Sequence, residues 1–146
     1  MALACDFIYA AEAARFALTE VTLGMMPGAG GTQTLARAVG ERRAKEIILT
    51  GKPFTAVEAQ AWGMVSKVLP AARLIAEALA TAETIARNAP ISVRQAKLAI
   101  GRGVNMSLWD GLVVETEAYY RMVPTEDRRE GIAAFNEKRP AKFQGR

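Results

Sequence analysis

The chain has 146 residues, 51% hydrophobic content, a formal net charge of +4, one cysteine and no histidine. This composition excludes a disordered tail, and the apolar runs are too short for a membrane span, so we expect one soluble, cytoplasmic domain without a signal peptide. Disulfides, Cys/His zinc sites and His-based catalytic triads are also excluded, which leaves carboxylates, lysines or tyrosines for any acid–base chemistry.

The N-terminal stretch, residues 1–10, is almost entirely apolar, and residues 7–9 favour a β-strand. Cys5 lies in this pattern, and we expect it to be buried and unreactive. Because the stretch begins without a cap or a turn, we expect it to continue a longer sequence. Residues 16–18 favour a second short strand, which would deliver Glu20 to its end.

Glu20 stands among apolar and β-branched residues, shortly before a glycine-rich turn at residues 27–31. Apolar neighbours desolvate a carboxylate and favour its protonated form, which makes a glutamate usable in proton transfer near neutral pH. The N–H groups of the turn can face a ligand at the start of the next helix. From the residues alone, a solvated strand-edge glutamate and a structural turn are the commoner alternatives, since the turn matches no nucleotide-binding motif.

Glycines and caps divide the next segment. Glycine follows each predicted helix, and Thr55 with Glu58 makes a capping box. The predicted elements are helices over residues 32–39, 42–50 and 56–62 and a strand over residues 64–69. A helix–strand succession of this kind predicts an α/β unit that pairs with neighbouring strands.

From residue 71 onward the pattern is helical. Four helices are predicted: one over residues 72–87, one that starts at Pro90, one that is capped by Ser107 and one that starts at Thr125. In the last helix we expect Ile132 and Phe135 to face inward. We interpret the apolar helix faces as core or subunit contacts rather than as a cofactor site.

Three ordered blocks closely resemble the enoyl-CoA hydratase/isomerase (crotonase) superfamily: CDFIYAAEAARFALTEVTLGMMPGAGGTQTLARAVG, LTGKPFTAVEAQAWGMVSKVLP and DRREGIAAFNEKRP. The resemblance covers the whole chain and corresponds to the C-terminal half of the family's domain. It is strongest to hydratases of fatty-acid metabolism or branched-chain amino-acid degradation, including the methylglutaconyl-CoA hydratase branch.

The resemblance implies an α/β fold, the ClpP-like ββα spiral of the crotonases. Residues 1–70 would be the C-terminal part of the spiral core. Residues 71–146 would be a helical region for CoA contact and for assembly into a trimer, or into a hexamer made of two trimers. The implied partners are an acyl-CoA thioester and further copies of the chain, and RNA is a less favoured partner.

The resemblance also implies the site residues. Glu20 matches the second of two catalytic glutamates, which delivers a proton to the α-carbon when water adds to a trans-2-enoyl-CoA thioester. Further substrate-binding positions are Met25, Pro27 and Gly28 at the acyl pocket and Phe135 and Lys138 at CoA. For the last two, a core aromatic and a solvated lysine are the alternatives. No metal and no separate cofactor is implied, because coenzyme A is part of the substrate.

The family's Gly-Gly-Gly-x-Glu segment, which holds an oxyanion-hole N–H and the first catalytic glutamate, is expected immediately before Met1. The chain by itself would then have one catalytic carboxylate and no oxyanion hole. Two alternatives to a hydratase are an isomerase or another crotonase branch, and a non-catalytic assembly or RNA-binding fragment. We also expect exposed strand edges and apolar faces to make the isolated chain dependent on partners or prone to aggregate.

Overall fold

Short strands, 3₁₀ helices and α-helices alternate up to Leu69, and every element from Ala71 onward is an α-helix, in a computed structural model that describes residues 2–146. The chain divides into two units, Met1–Leu79 and Ala80–Arg146. The elements are, in order, the 3₁₀ helix Ala2–Ala4, β1 (Tyr9–Ala11), β2 (Arg15–Phe16), the 3₁₀ helix Glu20–Leu23, α1 (Gly31–Val39), α2 (Glu41–Thr50), β3 (Phe54–Thr55), α3 (Ala56–Ala61), β4 (Lys67–Leu69), α4 (Ala71–Ala86), α5 (Pro90–Gly103), α6 (Leu108–Tyr120) and α7 (Glu126–Asn136).

The strands of the first unit form two separate pairs. β1 and β4 are parallel, with Tyr9 opposite Lys67, whereas β2 and β3 are antiparallel, with Phe16 opposite Phe54. The predicted strands are present but shifted or shorter, and β3 was not predicted. Its two residues precede a helix cap directly, so they are too short to show the alternation that identifies a strand.

The core of the first unit lies between α1, α2, α3 and the two strand pairs. Leu35 of α1 is completely buried, and Phe54 stacks on Phe16 with ring centroids 5.6 Å apart. The other buried apolar residues of this core are Ala10, Ala44, Ile47, Ile48, Ala56, Ala59, Met64 and Val65. These small and branched side chains hold the helices close to the strands.

Helix ends agree closely with the sequence prediction. Gly51, with φ 61°, ends α2, and its N–H donates to the carbonyl groups of Ile47 and Ile48. The Thr55 hydroxyl accepts from the Glu58 N–H at 3.1 Å, and the Glu58 carboxylate accepts from the Thr55 N–H at 2.7 Å. The predicted capping box is therefore confirmed.

The second unit is helical, and its caps are also those predicted. Ser107 and Thr125 each accept a hydrogen bond from a backbone N–H of the first turn, at 3.2 Å. α5 and α6 meet at Gly103 and Gly111, where a Cβ atom on Gly111 would lie 3.5 Å from the Gly103 carbonyl oxygen. Among residues 2–146, no helix is both long and apolar enough to cross a membrane.

Two burial predictions are wrong. Cys5 is exposed, because residues 2–4 form a 3₁₀ helix and β1 begins only at Tyr9. Phe135 and Ile132 do not face inward: they are 83% and 50% exposed. The buried side of α7 instead carries Asp127 and Ala134, and the C-terminal tail occupies that side.

The apolar faces of the helical region are largely uncovered. Besides Ile132 and Phe135, the large apolar side chains exposed there are Ile75, Leu79, Ile85, Ile100, Val104, Met106, Leu108, Trp109, Leu112, Val113, Tyr119, Tyr120 and Val123. They are not core in this chain, so of the two possibilities in that interpretation, core or subunit contact, the first does not apply to them. The alternative interpretation, subunit contact, stays a prediction.

Candidate active site

Glu20 is the first residue of the 3₁₀ helix Glu20–Leu23, rather than the end of a strand. The Thr19 carbonyl accepts hydrogen bonds from both the N–H and the hydroxyl of Thr22, at 3.0 and 2.8 Å. Gly24, with φ 74°, ends the helix, and the Met25 N–H then donates to the Glu20 carbonyl at 3.1 Å. Local side-chain and turn bonds thus hold Glu20 in a turn of its own, four residues after β2 ends at Phe16.

The Glu20 carboxyl group has an unusual environment. The residue is half-buried, and its Oε2 atom is buried with no hydrogen-bond donor among residues 2–146. Burying a carboxylate oxygen without a donor is unfavourable, and such orphaned acceptors are rare in folded proteins. An acceptor kept at this cost can receive a hydrogen bond from a ligand.

The expected apolar shield around Glu20 is only partly present. Leu23, Met25 and Met26 are all exposed, Met25 by 59%. A single 3₁₀ turn followed by a left-handed glycine directs successive side chains away from one another, so these residues do not form one buried cluster. Met25 therefore presents an apolar surface beside the Glu20 turn.

The glycine-rich turn is compact and partly strained. Pro27 is buried and Gly28 is exposed. Ala29 and Gly30 both have positive φ, 48° and 81°, and α1 begins at the next residue. A left-handed conformation is unfavourable for alanine, and strain of this kind tends to collect at functional sites. The turn therefore supports the functional interpretation of the segment that follows Glu20.

Two further predicted site residues, Phe135 and Lys138, lie at the end of α7 in the second unit. Both are exposed. Lys138 has φ 56°, and no hydrogen bond or ion pair engages its ammonium group within the part of the chain that the structure describes. Phe135 is not the core aromatic of the alternative interpretation, and the two residues present an aromatic ring and a cation to solvent.

A charged clamp next to Lys138 was missed by sequence reasoning. The Arg139 guanidinium donates to both carboxylate oxygens of Glu130, at 2.6 and 2.9 Å, and to Glu137 at 2.5 Å. The Arg139 bonds, together with the Lys142 backbone N–H, lower the pKa of Glu130 to about 2. The same carboxylates raise the pKa of Arg139. Glu130 and Arg139 are too far apart for a helical i,i+4 pattern to reveal them.

The C-terminal tail is attached to α7 by a buried carboxylate. Asp127 is 3% exposed and accepts from the backbone N–H groups of Gln144 at 2.6 Å and Gly145 at 2.8 Å. Its own N–H donates to the Arg146 carbonyl at 3.1 Å. Glu126 and Arg146 add an exposed ion pair at 2.8 Å. These bonds close the tail over the helix that carries Phe135.

The predicted site residues thus fall into two groups. Glu20, Met25, Pro27 and Gly28 occupy the segment before α1 in the first unit. Phe135 and Lys138 occupy the end of α7 in the second unit. Within the described residues, no cluster of three or more histidine, cysteine, aspartate or glutamate side chains could hold a metal ion.

Comparison with known proteins identifies close relatives. The model of the enoyl-CoA hydratase/isomerase family matches residues 1–146. The chain is 44% identical over 146 residues to 2,3-dehydroadipyl-CoA hydratase of Escherichia coli, covering 100% of the chain and 57% of that protein. It is 44% identical over 144 residues to mitochondrial enoyl-CoA hydratase of Pongo abelii, covering 99% of the chain and 50% of that protein.

Solved structures agree with the sequence relatives. The crystal structure of enoyl-CoA hydratase from Bacillus anthracis matches with a TM-score of 0.97 and 49% identity, over 99% of this chain and 56% of that one. The similarity confirms the fold expected from the resemblance. The chain spans about half the length of the curated relatives it matches.

Proposed function

Since the chain belongs to the enoyl-CoA hydratase/isomerase family, we propose that it carries the proton-delivering half of a site that hydrates trans-2-enoyl-CoA thioesters. The observation that carries this proposal is the buried Glu20 Oε2 atom, which has no donor among the described residues. Glu20 would be the catalytic residue. The relatives' names, enoyl-CoA hydratase and 2,3-dehydroadipyl-CoA hydratase, support the reaction class.

The chemistry requires a group of this type. The thioester carbonyl makes C3 of the enoyl chain electrophilic, so the oxygen of water adds there and electron density moves to the thioester oxygen as an enolate. Glu20, as a carboxylic acid, then gives its proton to C2, while a base accepts the proton that the water loses. Addition of one water is complete when both steps have occurred.

A complete site needs more than Glu20. A second carboxylate must hold and deprotonate the water, and N–H groups must stabilise the enolate oxygen. The chain contains no Gly-Gly-Gly-x-Glu sequence. We propose that these groups belong to a polypeptide segment outside the present 146 residues.

The remaining site residues would bind the substrate. Met25, Pro27 and Gly28 follow Glu20 directly, and the exposed Met25 offers apolar surface to an acyl chain. Phe135 and Lys138 would contact the CoA portion of a thioester bound to a neighbouring subunit, the ring by stacking and the ammonium by pairing with a phosphate. No separate cofactor is required, because the thioester of CoA is itself the activated group.

Assembly into a trimer or a hexamer is part of the proposal. The exposed large apolar side chains of α4, of α5 and of α6 support it, because apolar helix faces left open to solvent commonly mark an interface with another chain. The cytoplasmic location expected from the sequence stays a prediction, as do the fatty-acid and branched-chain amino-acid pathways.

The test is hydration of crotonyl-CoA, followed by loss of the conjugated-thioester absorbance. The rate is measured for the chain alone and for the chain co-expressed with the N-terminal part of the Bacillus anthracis enoyl-CoA hydratase, the part of that enzyme that this chain does not cover. Glu20→Gln should lower the hydration rate about 100-fold or more. Glu12→Gln, which changes an exposed glutamate, is the control and should keep the rate of the unchanged chain.

Equal rates for Glu20→Gln and the unchanged chain would contradict the role of Glu20. If the folded chain is inactive both alone and with the co-expressed N-terminal part, hydratase function is contradicted altogether. A 3-enoyl-CoA substrate separates the isomerase alternative, because an isomerase forms the conjugated thioester from it.

A further inference from the structure

Lys138 has a backbone conformation that lysine rarely adopts. Its φ is 56°, and within residues 2–146 it shares positive φ among non-glycine residues with Ala29 alone. The position follows the C-cap of α7, where glycine is the usual residue because it has no Cβ to clash. A lysine at this position therefore requires neighbouring bonds that hold the backbone in place.

Those bonds come from the residues on both sides of Lys138. The Arg139 N–H donates to the Ala134 carbonyl at 3.0 Å, which ends the helix. The Arg139 side chain bonds Glu130 through two parallel hydrogen bonds and Glu137 through a third. Since Glu137 precedes and Arg139 follows Lys138, the clamp fixes the backbone on either side of the lysine.

The clamp also has an electrostatic effect. Every carboxylate of α7 already has a partner: Glu126 pairs with Arg146, Glu130 pairs with Arg139, and Asp127 accepts two backbone N–H groups of the tail. Glu137 is held by Arg139 as well. Within residues 2–146 no acidic side chain therefore pairs with the Lys138 ammonium, which leaves it free for an anionic ligand.

We propose that Glu130 and Arg139 are positioning residues that hold Lys138 in its left-handed conformation and so present its ammonium to a phosphate of the CoA thioester. The inference rests on the proposed function, which places CoA at Lys138. It adds the reason why the arginine and the distant glutamate are needed there. The parallel hydrogen bonds of a guanidinium make the clamp rigid in a way that a lysine could not reproduce.

The experiment compares the dissociation constants of crotonyl-CoA and crotonyl-pantetheine, which lacks the phosphates and the adenosine of CoA. The ratio of the two constants reports the phosphate contact and is insensitive to a general loss of folded protein. The ratio is the dissociation constant of crotonyl-pantetheine divided by that of crotonyl-CoA, and it is narrowed when it falls toward 1. Lys138→Ala should narrow this ratio about tenfold, because it weakens the binding of crotonyl-CoA alone. Arg139→Met should narrow it to the same extent, and the double variant should add nothing further.

Two variants separate the clamp from charge and from tail stability. Arg139→Lys keeps the charge without the parallel bonds, and it should narrow the ratio like Arg139→Met. Arg146→Met removes the other ion pair of the tail, with Glu126, and should leave the ratio unchanged. If Arg139→Met does not fold, Glu130→Gln removes the charge of the clamp with a smaller change of shape and should narrow the ratio in the same direction.

The outcomes distinguish the two proposals. Two outcomes overturn the CoA contact of the proposed function, and this inference with it. One is the same ratio for Lys138→Ala as for the unchanged chain, and the other is that the unchanged chain binds neither thioester. A narrowed ratio for Lys138→Ala, together with an unchanged ratio for Arg139→Met and Glu130→Gln, overturns the positioning role alone.

Discussion

Gly51 lies directly against Thr22: a Cβ atom at position 51 would come within 2.9 Å of the Thr22 Cγ2 atom and 3.4 Å of Val21 Cγ2. Gly51 ends α2, and Thr22 lies in the 3₁₀ helix that begins with Glu20. The end of one helix therefore supports the turn that carries the proposed catalytic carboxylate. The sequence identified this glycine as a helix end, but it did not indicate the second role.

Gly51→Ala should therefore destabilise the protein for two reasons. The left-handed backbone costs alanine about 1–2 kcal/mol, and the contact with Thr22 adds about 1–3 kcal/mol of overpacking. Gly24→Ala is the matched control, because Gly24 is also left-handed but has open space around it. Denaturant unfolding of both variants measures the difference. Equal losses of unfolding free energy would show that the contact with Thr22 does not matter.

Gly31 should be intolerant of alanine for packing reasons alone. A Cβ atom there would lie 2.9 Å from Leu18 Cδ2 and 3.0 Å from Pro27 Cβ, and the proline ring cannot rotate away. We expect Gly31→Ala to lose about 1–3 kcal/mol of unfolding free energy. Gly28→Ala, three residues earlier in the same turn, meets no atom within 4 Å and should stay within about 0.5 kcal/mol. An unchanged free energy of unfolding in Gly31→Ala would contradict the close packing of Gly31 against Leu18 and Pro27.

The clamp at the end of α7 should make stability depend on pH. The pKa of Glu130 is lowered from 4.5 to about 2, chiefly by the hydrogen bonds from Arg139. A lowered carboxyl pKa stabilises the folded state above the unfolded-state value of 4.5, and this contribution is lost as pH falls toward about 2. The advantage of the unchanged chain over Glu130→Gln should therefore be constant above that range and shrink within it.

Urea unfolding between pH 6 and pH 2 would measure this effect. Arg139→Met is the useful comparison, because it removes the main cause of the lowered Glu130 pKa and should flatten the pH dependence of the unfolding free energy. A pH-independent difference between the unchanged chain and Glu130→Gln would mean that the clamp does not form in solution.

Asp127 should be more important to the tail than the exposed ion pair next to it. Asp127→Ala leaves the N–H groups of Gln144 and Gly145 without their charged acceptor, and a hydrogen bond to a charged group contributes about 1.5–3 kcal/mol. Amide hydrogen exchange at these two positions should become much faster. Glu126→Ala breaks only the surface pair with Arg146, worth about 0–1 kcal/mol. Unchanged exchange in Asp127→Ala would contradict the attachment of the tail.

Local signals explain which sequence predictions succeeded. The helix ends were found because glycine at a C-terminus, and threonine or serine at an N-terminus, act on backbone groups only a few residues away. The family resemblance found Glu20 for a different reason, since a single glutamate beside apolar residues carries no unique meaning. The 3₁₀ helix around Glu20 was missed because strand propensity depends strongly on context.

The sequence by itself determined the order of the α-helices, their caps and the family, because each depends on neighbouring residues or on a pattern shared along the chain. Only the tertiary structure decided that Phe135 is exposed, that Glu20 Oε2 is buried with no donor among the described residues, and that Arg139 bonds Glu130. Burial and pairing of this kind depend on which segments fold back onto one another. The spacing of residues along the sequence does not show which distant segments come into contact, because close packing in three dimensions decides it.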